Sequence, residues 1–239
     1  MEISVKGLKV LITAAASGIG CAVAKAFLAK DAEVCICDIN DDQLAACSRS
    51  LPGVGVTRAD VSDPVQVDRL FEEAHSHLGG LDVLINNAGI AGPTAAVEDV
   101  LPEEWDLTMA VNINGQFYCA RRAVPLIKAG GGGSIINMSS SAGLLGYPMR
   151  SPYAASKWVV IGLTKTMCKE WARYNVQSNC VAFGFIDTRL TQDKEKGIAV
   201  YTGKEKVAVG VPAKQRDIFI QMIPMGRPGT AEEAANTIL

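Results

Sequence analysis

Six short apolar runs, each followed by a stretch with helical spacing, constrain this chain more than anything else in it. The runs are Leu8–Thr13, Glu33–Asp38, Val54–Asp60, Leu81–Asn86, Ser134–Ser139 and Val176–Ala182. They are rich in Val and Ile and mostly apolar at consecutive positions, so both faces of each strand need a cover. Helical patterns fall near residues 18–30, 41–50, 64–78, 102–129 and 153–174. Pro64 and Pro102 stand where the first turn of a helix tolerates a missing N–H. Such alternation implies parallel strands joined by right-handed crossovers. The expected fold class is α/β, a doubly wound parallel sheet with helices on both faces. No repeat or linker divides the 239 residues, so 1–239 reads as a single domain. Gly130–Gly133 is a loop into the fifth strand, not a boundary.

The rhythm breaks between Asp187 and Ile223. Val200-Tyr201-Thr202, Gly203-Lys204 and Lys206-Val207-Ala208-Val209 read as a β-hairpin, and Pro212 to Met222 as a short helix stopped before Pro224. An insertion of this length after a core strand is either a lid or a solvated decorative loop. A substrate lid at about 187–223 is the expectation.

A net charge of −2 gives no general attraction to nucleic acid or to an acidic membrane. Met1-Glu2-Ile3-Ser4-Val5-Lys6-Gly7 lacks the apolar core of a signal peptide, and no stretch approaches ~18 apolar residues. A soluble, cytoplasmic protein is expected. The seven cysteines are odd in number and include no Cys-x-x-Cys, which indicates neither a disulfide framework nor a zinc site. Most of them read as small buried apolar residues. His75 and His77 lie two apart in a helical stretch and point different ways, so no metal is expected.

Two segments carry chemistry. Thr13-Ala14-Ala15-Ala16-Ser17-Gly18-Ile19-Gly20 ends the first strand and opens a helix. There Gly18 and Gly20 let backbone approach a pyrophosphate at the helix's positive end. A purely structural turn uses glycines too. The second strand, however, ends at Asp38, where a dinucleotide site needs a carboxylate for the adenosine ribose hydroxyls. That carboxylate repels a 2′-phosphate, and no Arg or Lys adjoins it in Cys37-Asp38-Ile39. NAD is therefore favoured over NADP. Further on, Tyr153-Ala154-Ala155-Ser156-Lys157 sets a phenol and an ammonium on one helix face, with Ser140 upstream. A cation ~4 Å from the phenol, at an effective dielectric of ~20, favours phenolate by roughly 4 kcal/mol. That is about three pKa units, enough to bring a tyrosine near working pH.

Taken together, Thr13 with Gly18-Ile19-Gly20, Asp60-Val61, Asn86-Asn87-Ala88-Gly89, Asn112, Ser140 and Tyr153 with Lys157 resemble the short-chain dehydrogenases/reductases over essentially the whole chain. Val176–Thr188 resembles that family's sixth strand and the loop after it. The resemblance implies a Rossmann fold and an NAD(H)-dependent oxidoreductase interconverting a secondary alcohol and a ketone. Ser140 would hydrogen-bond the substrate oxygen while Tyr153 passes a proton as hydride moves to or from the nicotinamide. Lys157 would hold the nicotinamide ribose and depress the tyrosine pKa. Asn112, inside a long helix where Asn is a poor helix former, would bind water in a relay from Lys157, or be an ordinary polar helix residue.

The implied cofactor positions are Thr13, Ser17, Gly18, Ile19 and Gly20 in the first turn, Asp38 at the ribose, and Asp60 and Val61 at the adenine. They continue with Asn87 and Gly89 after the fourth strand, with Tyr153 and Lys157, and with Ile186 and Thr188 at the carboxamide. A small-molecule substrate and a homo-oligomer, dimer or tetramer, are implied as well. The likeness is loosely nearest to 3-oxoacyl reductases and 3-hydroxyacyl dehydrogenases. A small hydroxy compound, a polyol, a steroid-like alcohol or a non-catalytic dinucleotide-binding role are the alternatives.

Four departures stand out. Ala14 replaces the family's first glycine, which costs roughly 1 kcal/mol or more if φ is positive and little otherwise. Phe183 replaces a proline, and would narrow the pocket, stack on the cofactor or pack neutrally. For an acidic carrier-protein partner the corresponding helix ends offer only Lys128 and Arg173. The chain also stops within a helix where the family continues to a seventh strand, from which a truncated chain is expected.

Overall fold

Alternate residues of the first strand, β1 (Lys9–Ile12), supply opposite faces of one sheet: Val10 and Ile12 enter one core and Leu11 the other. The same division repeats along β2 (Glu33–Asp38), where Val34 and Ile36 face one side and Cys35 and Cys37 the other. It repeats again in β4 (Val83–Asn86), with Val83 and Ile85 set against Leu84. This is the physical reason the runs lack polar alternation. With β3 (Gly55–Arg58), β5 (Gly133–Met138) and β6 (Val176–Val181), the strands form one parallel sheet ordered β3-β2-β1-β4-β5-β6. The computed structural model describes residues 4–193, 199–202, 205–208 and 210–239.

Helices cover both faces, as a doubly wound sheet requires. On the first face lie α1 (Gly18–Leu28) through Val23, Ala24 and Phe27, α2 (Asp41–Ser50) through Leu44 and Cys47, and α8 (Ala231–Ile238) through Ala235 and Ile238. On the second lie α3 (Pro64–Leu78) through Leu70 and Phe71, α5 (Gly115–Ala129) through Ala123 and Ile127, and α6 (Ser151–Trp171) through Met167. Several helix starts are written locally. Asp63 caps α3 by accepting from Val65 N at 2.9 Å, with Pro64 in the first turn. Thr230 and Glu233 form a reciprocal capping box at α8.

The helical pattern expected at 102–129 is broken in the structure. α4 (Pro102–Met109) is followed by a wider π turn over Ala110–Asn114, and only then by α5. Asn112 explains the break, because its side chain turns inward to hydrogen-bond backbone far from its own helix. Gly115 closes against β3's following loop: a Cβ there would meet Val61 Cγ2 at 2.7 Å.

In the inserted segment, β7 (Ala199–Thr202) and β8 (Glu205–Ala208) pair antiparallel, and α7 (Ala213–Gln221) follows. The expected hairpin is therefore present in its strands. Its Gly203-Lys204 turn and Val209, like the amino-terminal Met1-Glu2-Ile3, lie outside the described residues.

Ala14 has φ +50°, so the conditional cost identified from sequence applies. Ala14→Gly is expected to raise stability by about 1 kcal/mol, a Tm gain of about 2–4 °C at this chain length. An unchanged or lower calorimetric Tm would mean that the turn stores no such strain.

Candidate active site

The loops leaving the carboxyl ends of the strands enclose a cavity of about 570 Å³. Ser140, Tyr153 and Lys157 share its wall, although they come from two separate segments. The first two serines after β5 have distinct work. Ser139 Oγ donates to Lys157 O at 2.9 Å, fastening α6 to the strand end. Ser140 Oγ accepts Ala142 N at 3.2 Å, and its hydroxyl acts to lower the pKa of the Tyr153 phenol. Gly143 then lets the turn press on α6, since a Cβ there would lie 2.6 Å from Lys157 O.

Lys157 is 4% exposed, and its Nζ donates to Met138 O at 2.8 Å. Burial pulls its pKa down to about 8. The Nζ lies 5.6 Å from the centre of the Tyr153 ring. Burial pushes the Tyr153 phenol above its ordinary value of 10, opposed first by the Ser140 hydrogen bond and then by the Arg150 charge. This corrects one expectation. Burial outweighs the groups that lower the phenol's pKa, which are Ser140 and Arg150, and Lys157 Nζ is directed to Met138 O.

Asn112 is fully buried. Its Oδ1 accepts Ile90 N at 2.8 Å, while Nδ2 donates to Ile90 O and to Ser156 Oγ, each at 3.0 Å. It thus ties the loop after β4 to α6, and one acceptor lone pair remains. Gly89 lies where both amide and ammonium converge: a Cβ there would meet Asn112 Oδ1 at 3.3 Å and Lys157 Nζ at 3.4 Å.

The other half of the cavity carries the sequence's dinucleotide candidates. Ser17, Gly18, Ile19, Asp38, Asp60, Val61, Asn87, Gly89, Ile186 and Thr188 all line it. Thr13, Gly20 and Asn112 do not reach the wall. Thr13 Oγ1 instead accepts from Asn87 N and Ala88 N, both at 3.0 Å. Asn87 Nδ2 donates back to Thr13 O and Ala14 O, so the glycine-rich turn and the end of β4 hold each other. Gly20 packs beneath this knot: a Cβ would come within 2.7 Å of Asn87 Nδ2. These three residues support the walls rather than form them.

Asp38 accepts Ala16 N and Asn40 N at 3.2 Å each. Burial raises its pKa against these hydrogen bonds. Gly18 holds φ +57°, and α1 begins without a side-chain cap, leaving first-turn N–H groups directed at the cavity. Uncapped helix start, glycine and carboxylate together fit a dinucleotide, whose pyrophosphate α1 could hold and whose adenosine ribose Asp38 could meet.

Two arginines escaped the sequence reading. Arg189 donates to Ser17 Oγ and lowers the Asp38 pKa by its charge. Arg150 lines the cavity near Tyr153. Phe183 lines it too, and its carbonyl accepts Ser141 N at 2.9 Å. Lys128 and Arg173 both lie over the Tyr174 ring, 3.7 and 4.8 Å from its centre. They stand where α5 and α6 end, away from the cavity's edge of the sheet. Among the described residues no group of three His, Cys, Asp or Glu is placed to hold a metal ion, and no helix is long and apolar enough to cross a membrane.

Comparison with known proteins bears on this arrangement. The profile of a family described as short chain dehydrogenase matches residues 8–199. The chain is 38% identical to the 3-oxoacyl-(acyl-carrier-protein) reductase FabG of Thermotoga maritima, over 98% of this chain and 89% of that protein. It is 33% identical to the D-beta-hydroxybutyrate dehydrogenase of Cupriavidus necator, over 95% and 87%. It is 34% identical to the trans-4-hydroxycyclohexanecarboxylate dehydrogenase of Sinomonas cyclohexanicum, over 96% and 83%.

Proposed function

The chain belongs to the short-chain dehydrogenase family of oxidoreductases, and on that premise we propose that it is an NAD(H)-dependent enzyme interconverting a secondary alcohol and a ketone. The observation carrying this reading is the meeting of Ser140, Tyr153 and Lys157 in one cavity with the uncapped start of α1 and the Asp38 carboxylate. A bound nicotinamide dinucleotide would supply the hydride carrier. Ser140 orients the substrate oxygen through its hydroxyl. Tyr153 gives its phenolic proton to that oxygen in reduction and takes it back in oxidation. Lys157 holds the nicotinamide ribose and supplies a positive charge behind the phenol, and Asn112 fixes the loop beside it.

NAD⁺ and NADH mixed with panels of secondary alcohols and ketones, followed at the NADH absorbance, test the reading. Silence across the panels despite tight NADH binding would instead favour a non-catalytic dinucleotide-binding protein. Within the oxidoreductase reading, 3-hydroxyacyl and 3-oxoacyl compounds, polyols and steroid-like alcohols are the candidate substrates.

Asp38 supports NAD, and Arg189 is the one observation favouring NADP, since a guanidinium beside Ser17 could meet a phosphate. Asp38→Ala combined with Ile39→Arg is expected to move the kcat/KM preference toward NADP by at least ~10-fold, through lost repulsion and a gained phosphate contact. An unmoved preference would take Asp38 away from the ribose.

Residues 187–223 serve as a substrate lid; loss of the 199–208 hairpin with no change in substrate KM would remove that role. Exposed Phe117 on α5 and Trp158 and Val159 on α6 support a homo-oligomer built through those helices. Light scattering at the monomer mass would exclude it.

A further inference from the structure

Arg150 stands at the amino-terminal boundary of α6, about one helical turn before Tyr153, and lines the same cavity. Its Nη1 donates to Ala91 O at 3.2 Å, fastening it to the loop after β4. The neighbouring backbone is bent to hold it there. Met149 has φ +64°, and its carbonyl accepts Ala95 N at 3.1 Å. Left-handed backbone at a bulky residue is uncommon and persists where surrounding contacts over-determine it.

The guanidinium is half-buried and under-used. Among the described residues no carboxylate lies within ion-pair distance of it, and Ala91 O is the one acceptor it meets. The cavity's carboxylates, Asp38 at the end of β2 and Asp60 after β3, stand at the proposed dinucleotide half. On the other side the wall is apolar: Tyr147 packs on Phe219 with ring centres 5.8 Å apart, and Phe219 on Phe185 at 5.9 Å. Burying a charge is costly until an opposite charge and hydrogen bonds compensate it. A planar guanidinium is shaped for two parallel bonds to a carboxylate.

We infer that Arg150 binds a carboxylate on the substrate, making the substrate a hydroxy acid, or the matching keto acid, with an apolar body against Tyr147 and Phe219. The inference rests on the oxidoreductase reading of the same site and names its substrate class. Burial lowers the Arg150 pKa, and its charge in turn lowers that of Tyr153. An anion bound at Arg150 therefore also bears on the phenol.

The test uses the full chain and two measurements. The first is kcat/KM with NAD⁺ for 2-, 3- and 4-hydroxy carboxylic acids with apolar tails, each paired with its primary amide. The second is binding of butyrate, hexanoate and cyclohexanecarboxylate to the NADH-loaded protein, read from the fluorescence of bound NADH. The acid-to-amide ratio should be about 100-fold in the unaltered chain, fall to near one in Arg150→Gln, and be partly kept in Arg150→Lys. The ratio cancels whatever either substitution does to folding, and NADH affinity should be unchanged in both variants. Amides turned over as well as acids, or a ratio untouched in Arg150→Gln, overturns the inference and leaves the oxidoreductase reading standing. No turnover, but carboxylate binding that Arg150→Gln removes, upholds the anion site and sinks the oxidoreductase reading. Neither turnover nor carboxylate binding sinks both.

Discussion

Tyr153→Phe is expected to lower kcat by about 10²–10⁴-fold, the usual worth of a positioned acid–base group, with dinucleotide Kd changed less than twofold. The phenol oxygen is the only atom removed. It contacts Ser140 at the cavity wall, whereas the helix that carries it is held by other groups, among them Ser156 Oγ donating to Tyr153 O at 2.7 Å. Burial raises the phenol's pKa, so at neutral pH the oxygen carries its proton and is set to donate in ketone reduction. Alcohol oxidation needs the phenolate, and its rate should climb through alkaline pH in the unaltered chain. Single-turnover hydride transfer in the Phe variant should be both slow and flat with pH. Turnover within tenfold of the parent, or a surviving alkaline rise, would assign the proton to another group.

Lys157→Met should also abolish turnover, while raising stability at neutral pH. The ammonium titrates near 8 in the fold against 10.5 for a free lysine, so above pH 8 the unfolded chain holds the proton that the folded chain has released. Burial therefore costs stability in full below pH 8, and the cost fades as pH rises from 8 to 10.5. At pH 7 it is on the order of 3 kcal/mol, offset in the variant by about 1–2 kcal/mol for the Met138 carbonyl left without its donor. A net gain of roughly 1–2 kcal/mol, or several degrees in Tm, is expected at pH 7. The gain should have vanished or reversed near pH 10.5. A Tm that falls at pH 7, or a gain that persists at high pH, would show that the buried ammonium is not the source.

The sheet was legible because strands covered on both faces leave unbroken apolar runs, and Leu11 or Leu84 can be nothing but core. Asp38 and Tyr153-x-x-x-Lys157 were legible because their partners lie at fixed local spacing. The π turn at Ala110–Asn114 was not, since widening a helix by one residue leaves no apolar signature; only Asn112, Asn114 and Gly115, all weak helix formers, hinted at it. Arg150 and Arg189 were invisible for a different reason. The groups they hold lie 59 and 172 residues away in sequence, and only the folded chain brings them together. The direction of the Tyr153 pKa differs from the expectation because helical spacing sets two side chains on one face without saying how deeply the phenol is buried, and burial is the largest influence on it.

Arg189 links more than its own surroundings. From Ser17 the connection runs along the chain to Thr191, whose carbonyl accepts Arg216 Nε at 3.2 Å, and so into α7, the helix that carries Phe219. The Ser17 hydroxyl and the aromatic wall across the cavity are thus joined by two hydrogen bonds and three residues of chain. On the proposed function, Arg189→Ala is expected to raise substrate KM as well as dinucleotide Kd, and a KM left unchanged would break that linkage.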